Sequence, residues 1–169
     1  SQALIEAARD RGADAILVHH GYFWRSEPPC ITGMKAARLR ALIKADINLF
    51  AYHLRLKCQP LHGNNAAPGR LMGIAAPEVL DPEDPGTPVF RGQLEESGTV
   101  QGLADRLGVA LDRTPLVIGE GDVKSVAWCT GAGQGYIDLA ADARVDVYVS
   151  GEVSEQTAHV APDRTIALT

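Results

Sequence analysis

Two adjacent histidines, His19 and His20, follow directly on the apolar run Ala15-Ile16-Leu17-Val18 and precede Gly21. An imidazole buried without a partner loses its hydration at a cost, so a histidine pair at the end of an apolar run needs something to bind. Successive residues of a strand point to opposite faces. The two rings therefore converge on one centre only where the strand ends and the backbone turns, which Gly21 permits; otherwise they serve two neighbouring metals. Neutral imidazole suits zinc, iron, nickel or copper, and a mixed imidazole and carboxylate set suits zinc, iron, manganese or cobalt. His53 closes a second apolar run, Ile47 to Tyr52, and is read as a pocket wall or as a donor orienting a ligand or water. A satisfied core imidazole is the plain alternative. Glu152 ends a later run at Ser150-Gly151 and is read as a further pocket residue. Glu155 and His159 share a helix face with it if a helix starts after Gly151; otherwise Ser154 and Glu155 cap that helix.

The elements that must carry these residues follow from periodicity. Ala3, Leu4, Ala7 and Ala8 recur at helical spacing and Gly12 stops the turn, which predicts an opening helix before the strand Ala15 to Val18. A helix from about Gly33 to Ala45 precedes the strand that ends at His53, and His62-Gly63-Asn64-Asn65 turns into a short helix. Between Ala76 and Gly98, Pro77, Pro82, Pro85 and Pro88 mingle with Asp81, Glu83 and Asp84, which predicts irregular connecting chain. Thr99 caps a helix through Leu107. Strands are expected at Leu116 to Ile118, Ser125 to Thr130 and Val145 to Val149, with a helix from about Gln134 to Ala143. Gly131-Ala132-Gly133 opens that helix and is a weak dinucleotide fingerprint, since the third glycine is missing at the required spacing.

Shifting the chain by 132 residues lays Ser1–His20 over Gly133–Glu152, matching Gln2 to Gln134, Ile5 to Ile137, Ala8 to Ala140, Asp10 to Asp142 and Asp14 to Asp146. The predicted helix, turn and strand coincide as well, so a duplicated helix–strand unit is expected. His20 then overlies Glu152. In this register the first copy lacks the strand that leads the second. The reading is an α/β fold of two interlocked lobes with mainly parallel sheets related by an internal repeat. Residues 1–76 form the first lobe, 77–98 a Pro-rich connection and 99–169 the second lobe.

The runs GADAILVHHGYFW, MKAARLRALIKADINLFAYHL, Gly63-Asn64-Asn65 and VAWCTGAGQGYIDLAADARVDVYVSGEVSEQTAH together resemble the NIF-three family, NGG-one-interacting factor three. Bacterial members carry the label GTP cyclohydrolase 1 type 2 homologue. The similarity spans roughly Ser1 to Ala161. It implies a dinuclear metal centre between two α/β lobes, with two divalent ions (Zn, Fe, Mn or Co) per chain in complete relatives. It also implies a toroidal homohexamer and a metal-dependent hydrolase acting on a nucleotide-like or other phosphate- or amide-bearing small molecule. His19 and His20 match the family's histidine pair. The family places a bridging Asp just after the second strand's His-Leu, where His53-Leu54-Arg55-Leu56 leads instead to Lys57. An ammonium near two cations repels them, so either Lys57 swings out to solvent or metal affinity falls. The family's late His-rich segment is not found before Thr169, and the last eight residues depart from the family, so a chain cut at both ends is expected and impaired hydrolysis with it. The alternative is a non-catalytic hexameric metal-binding scaffold or regulator.

Composition bounds the remaining classes. The 169 residues are 46% apolar and 22% charged, with a net charge of −5 and no Lys/Arg cluster, so duplex nucleic acid is a poor partner. No run reaches the roughly 20 apolar residues of a membrane helix, and a cytoplasmic protein without a membrane partner is expected. Cys30, Cys58 and Cys129 lie far apart, which favours free thiols over a disulfide framework or a thiolate zinc site.

Overall fold

The computed structural model describes residues 1–84, 86–164 and 166–169, and for residues 162–164, 166 and 168 the backbone alone. Pro85 of the Pro-rich stretch and Thr165 of the tail lie outside the described residues. The fold is mixed α/β and divides into two compact units, Ser1–Leu56 and Lys57–Thr169.

The first unit runs α1 (Gln2–Asp10), β1 (Ala15–Val18), α2 (Gly33–Lys44) and β2 (Asn48–Ala51). Ser1 caps α1, its Oγ accepting from the Leu4 N–H at 3.3 Å. Ile5 and Ala8 of α1, Ile16 of β1, and Leu42 and Ile47 form the core of this unit. The strands pair in parallel, with Ala15 opposite Asn48 and Val18 opposite Ala51. Because side chains alternate, the face opposite Ile16 carries Leu17, which is 72% exposed and sits opposite Phe50, 51% exposed.

The second unit opens with the end of a short helix, α3 (Leu54–Lys57), followed by α4 (Ala66–Met72), β3 (Glu78–Val79), β4 (Phe90–Thr99) and α5 (Val100–Leu111). It continues with β5 (Val117–Ile118), β6 (Asp122–Cys129), a 3₁₀ turn (Gln134–Tyr136), α6 (Ile137–Asp142), β7 (Val147–Ser150), α7 (Glu155–Arg164) and β8 (Ile166–Leu168). The six strands lie in the order β3-β4-β6-β7-β8-β5. Strand β6 separates two packing layers. Val126 and Trp128 join Met72, Leu103 and Leu107 on one face, and Ala127 and Cys129 join Ile137, Ala140 and Tyr148 on the other.

Three expectations change. The large sheet is not mainly parallel: β6-β7 and β7-β8 pair in parallel, whereas β3-β4, β4-β6 and β5-β8 are antiparallel. Residues 57–76, assigned by sequence to the first lobe, belong to the second unit, because Met72 and Ile74 bury against the Trp128 cluster. The segment 77–98 is not wholly irregular, since β4 begins inside it at Phe90 and runs ten residues. Phe90 and Leu94 point inward, and between them Gly92 admits Ile74, whose Cγ2 would collide with any Cβ there. Thr99 does cap α5, its Oγ1 accepting from the Gly102 N–H at 3.2 Å. Among the described residues no helix is long and apolar enough to cross a membrane.

Candidate metal site

Parallel pairing brings β1 and β2 to an end at the same level, with Val18 opposite Ala51. The Tyr52 N–H donates to the Val18 carbonyl at 3.0 Å, carrying the ladder one step further. The residues that follow each strand therefore emerge side by side. Gly21 makes the bend possible, since a Cβ there would come within 2.8 Å of the Ala51 Cβ.

Three imidazoles meet at this strand end. The His19 and His20 ring centroids are 4.6 Å apart, those of His19 and His53 4.7 Å, and those of His20 and His53 4.8 Å. One nitrogen from each ring lies within 4.8 Å of the others, and the group could hold a metal ion. His19 and His53 are half-buried and His20 is exposed. His53 is thus brought in beside the adjacent pair as a third nitrogen donor, a closer association than a pocket wall.

Trp24 borders the group, with its ring 5.5 Å from that of His20 and 5.7 Å from that of His53, both edge-on. The loop that carries it is fastened through Glu27, which accepts from the Trp24 N–H at 3.2 Å and pairs with the Lys35 ammonium. That ammonium also lies 4.3 Å over the Phe23 ring. The hydrogen bond from Lys35 holds the Glu27 carboxyl below its ordinary range. The place of Trp24 beside the histidines depends on this loop closure, for which Glu27 and Lys35 leave no recognisable spacing.

The other anticipated residues lie elsewhere. Lys57 does not swing out to solvent: it is 8% exposed at the end of α3, and it works against the burial that pushes the Cys129 thiol up. Glu152 is exposed after β7, where its carbonyl accepts from the Ser150 Oγ at 2.6 Å, and it joins no metal-ligating group among the described residues. Glu155 and His159 form a solvent-exposed pair 4.0 Å apart on α7. Ser154 caps that helix instead, its Oγ accepting from the Thr157 N–H at 3.3 Å.

Gly131-Ala132-Gly133 is a tight turn. Gly131 takes φ 69°, and a Cβ on Gly133 would fall 2.8 Å from the Cys129 Sγ. Gly131 and Gly151 line a largely apolar cavity of about 190 Å³ at the carboxyl ends of β6 and β7, together with Trp128, Cys129, Thr130 and Ser150.

Asn65, which the sequence placed in the turn before α4 without a structural role, is fully buried. Its side-chain oxygen accepts from the Thr130 N–H (3.0 Å) and Oγ1 (2.8 Å), and its amide donates to the Pro88 carbonyl at 2.7 Å. Its backbone carbonyl accepts from the Trp128 indole at 2.7 Å, and its N–H donates to the Lys57 carbonyl at 3.1 Å.

Three imidazoles could hold a metal ion through their nitrogens. Among the described residues the group contains no carboxylate, and the position at which the family resemblance calls for one is the buried Lys57.

A model of the family described as Duf34/NIF3 (NGG1p interacting factor 3) matches residues 1–169. A Pseudomonas aeruginosa protein named GTP cyclohydrolase 1 type 2 homolog is 46% identical over 168 residues, covering 99% of this chain and 67% of that protein. A protein of the same name from Pasteurella multocida is 50% identical over 172 residues, 98% of this chain and 67% of the relative. The chain therefore spans about two thirds of the length of such relatives. A solved structure titled as protein ybgI of unknown function superposes with a TM-score of 0.85 at 44% identity, over 99% of this chain and 68% of its own.

Proposed function

We propose, from the premise that this chain belongs to the Duf34/NIF3 family, that it binds a divalent metal ion through His19, His20 and His53 at a centre of hydrolytic type. The observation that carries this reading is the convergence of three imidazole nitrogens within 4.8 Å at the shared end of β1 and β2. Zinc, iron or cobalt suits three neutral imidazoles better than manganese, which favours oxygen donors. A bound ion supplies Lewis-acid polarisation of a scissile group and activation of water near neutral pH. The chain's own contribution is to hold three donors at one strand end and to offer the exposed Trp24 indole beside them. That indole suits stacking against a planar base, and so a nucleotide-like substrate.

Lys57 supports the second reading, in which the site binds metal without turnover in a homohexameric scaffold or regulator. A lysine replaces the carboxylate expected for a bridged pair of ions, so hydrolysis is impaired relative to complete relatives. The exposed Leu17 and Phe50 agree with burial in an assembly. We place the protein in the cytoplasm on its acidic charge and scattered cysteines. The duplicated helix–strand unit has support of its own: a shift of 132 residues carries β1 onto β7, α1 onto residues 134–142, and Gly12 (φ 65°) onto Arg144 (φ 56°).

Elemental analysis of the purified protein, followed by assay of GTP and simple nucleotide hydrolysis, tests the proposal. About one tightly held ion per chain with metal-dependent turnover is the expected result. Bound metal without turnover selects the scaffold, and protein that takes up no zinc, iron or cobalt overturns both readings.

A further inference from the structure

The loop between β1 and α2 holds Trp24 beside the histidines against an opposing force. Phe23 takes φ 70°, a left-handed backbone that a bulky side chain adopts only under strain, and its ring is 65% exposed. Next to it lies an apolar hollow of about 310 Å³, lined by Tyr22, Phe23, Leu39, Leu42, Ile43 and Leu49. Relaxing the Phe23 backbone and turning its ring into that hollow would relieve strain and bury apolar surface. The contacts that oppose this all run through Glu27 and Lys35. The Glu27 carboxylate accepts from the Trp24 N–H at 3.2 Å, and the Glu27 N–H donates to the Trp24 carbonyl at 3.1 Å. The same carboxylate pairs with the Lys35 ammonium, which lies 4.3 Å over the Phe23 ring. The Lys35 and Glu27 side chains are only 20% and 34% exposed, so water screens this pair less than an open one. Lys35 belongs to α2, which is anchored in the core of the first unit through Leu42, and so ties the loop to a packed element.

Resting on the reading of the three imidazoles as the centre of the site, we infer that Glu27 and Lys35 are its positioning residues: their ion pair latches the loop in the state that sets Trp24 against His20 and His53. In the competing state Phe23 fills the hollow and the indole is withdrawn, because Phe23 cannot move without carrying its chain neighbour Trp24. The latched state puts the Trp24 ring 5.5 Å from that of His20 and 5.7 Å from that of His53. A planar base, the ligand class that suits stacking on an indole, binds that state alone. Its apparent affinity then falls in proportion to the share of molecules that are latched. Neither Glu27 nor Lys35 is among the three grouped imidazoles, so the latch governs the aromatic wall of the site and not its donor set.

The test is acrylamide quenching of tryptophan emission in the full, metal-free chain, followed by GMP binding in the presence of zinc. Trp128 is 1% exposed and shielded, so the quenchable emission is that of Trp24. Lys35→Met removes the cation from both Glu27 and Phe23, and should raise the quenching constant by up to about twofold as the indole goes from 48% toward full exposure. Lys35→Arg keeps the charge and should retain the parental value. Adding Phe23→Gly to Lys35→Met should restore that value, because glycine accepts the left-handed backbone without strain and has no ring for the hollow. With zinc bound, Lys35→Met should weaken GMP binding about threefold, the loss of one ion pair, and the added Phe23→Gly should recover it. Should Lys35→Met fail to fold, Glu27→Gln breaks the same pair from the loop side and supplies the comparison. Equal quenching in parent and Lys35→Met, no recovery on adding Phe23→Gly, or unchanged GMP affinity in zinc-loaded Lys35→Met would each overturn the inference. A parent chain that takes up no zinc defeats the metal reading instead, and the metal-free quenching series still decides the latch.

Discussion

At the scale of single residues, the third histidine separates a group that could hold a metal ion from a surface pair. Two adjacent imidazoles on an exposed turn chelate weakly, whereas three on converging strand ends supply most of a tetrahedral shell. Replacing His53 by Ala should therefore weaken zinc binding about 10- to 100-fold, using the range seen when metal-site partners are removed as a lower guide. Competition with a chromophoric chelator would measure it, and an unchanged affinity would remove His53 from the site. His19 and His20 were legible in the sequence because their adjacency and position after an apolar run are local signals. The part played by His53 was half-legible: its place at a strand end could be read, but its partnership depends on the register of Val18 with Ala51, which no local pattern encodes.

Elements are held in place here by a few buried or bridging polar groups. Asn65 ties α3, α4, β6 and the segment before β4 together from a fully buried position. Its replacement by Ala would leave the Thr130 N–H and the Pro88 carbonyl without partners, and each unsatisfied group costs about 1–3 kcal/mol. Chemical denaturation of Asn65→Ala should show a loss of at least about 2 kcal/mol; a smaller loss would mean that water replaces the amide. Asp146 does similar work between β6 and β7 at the surface, accepting from the Lys124 N–H (3.0 Å) and from the Ser125 N–H and Oγ (both 2.8 Å). Burial alone would raise its pKa, but these hydrogen bonds outweigh it and hold the carboxyl below the usual value. A carboxyl with a depressed folded-state pKa stabilises above its unfolded pKa, and that stability is lost as pH falls through the folded value. Solvent screening limits the effect to about 1 kcal/mol. Denaturation of Asp146→Asn should lie below the parent at neutral pH and converge with it in strong acid; a constant offset would place the effect elsewhere. Strand β4 shows why an element escapes notice. Its inward set of Phe90, Gly92 and Leu94 is interrupted by a residue with no side chain, and its outward set ends in charge, so the alternation is blurred.

For the molecule as a whole, the first unit is the less protected part: a two-stranded parallel sheet with helices packed behind it and an apolar face left open. Such a sheet is marginal unless further strands or another surface cover it. The chain should self-associate in solution, and Leu17→Glu with Phe50→Lys, cross-strand neighbours of opposite charge, should shift it toward monomer. Sedimentation velocity over a range of concentrations would show this, and a parent chain monomeric throughout would contradict it. Much of the molecule was readable beforehand, because helix and strand periods are written within a few residues: α1, β1, α2, the Thr99 cap of α5 and the strand β7 all carry their hydrophobic spacing or cap locally. Family membership was readable for the same reason, as the runs that carry it are contiguous. Three-dimensional packing alone decided that residues 57–76 join the second unit, that the large sheet is mixed, that Lys57 is buried, and that His53 completes the histidine group. Each of these depends on contacts between residues dozens of positions apart, where the free energy of burial and pairing selects among arrangements that local sequence leaves equally open.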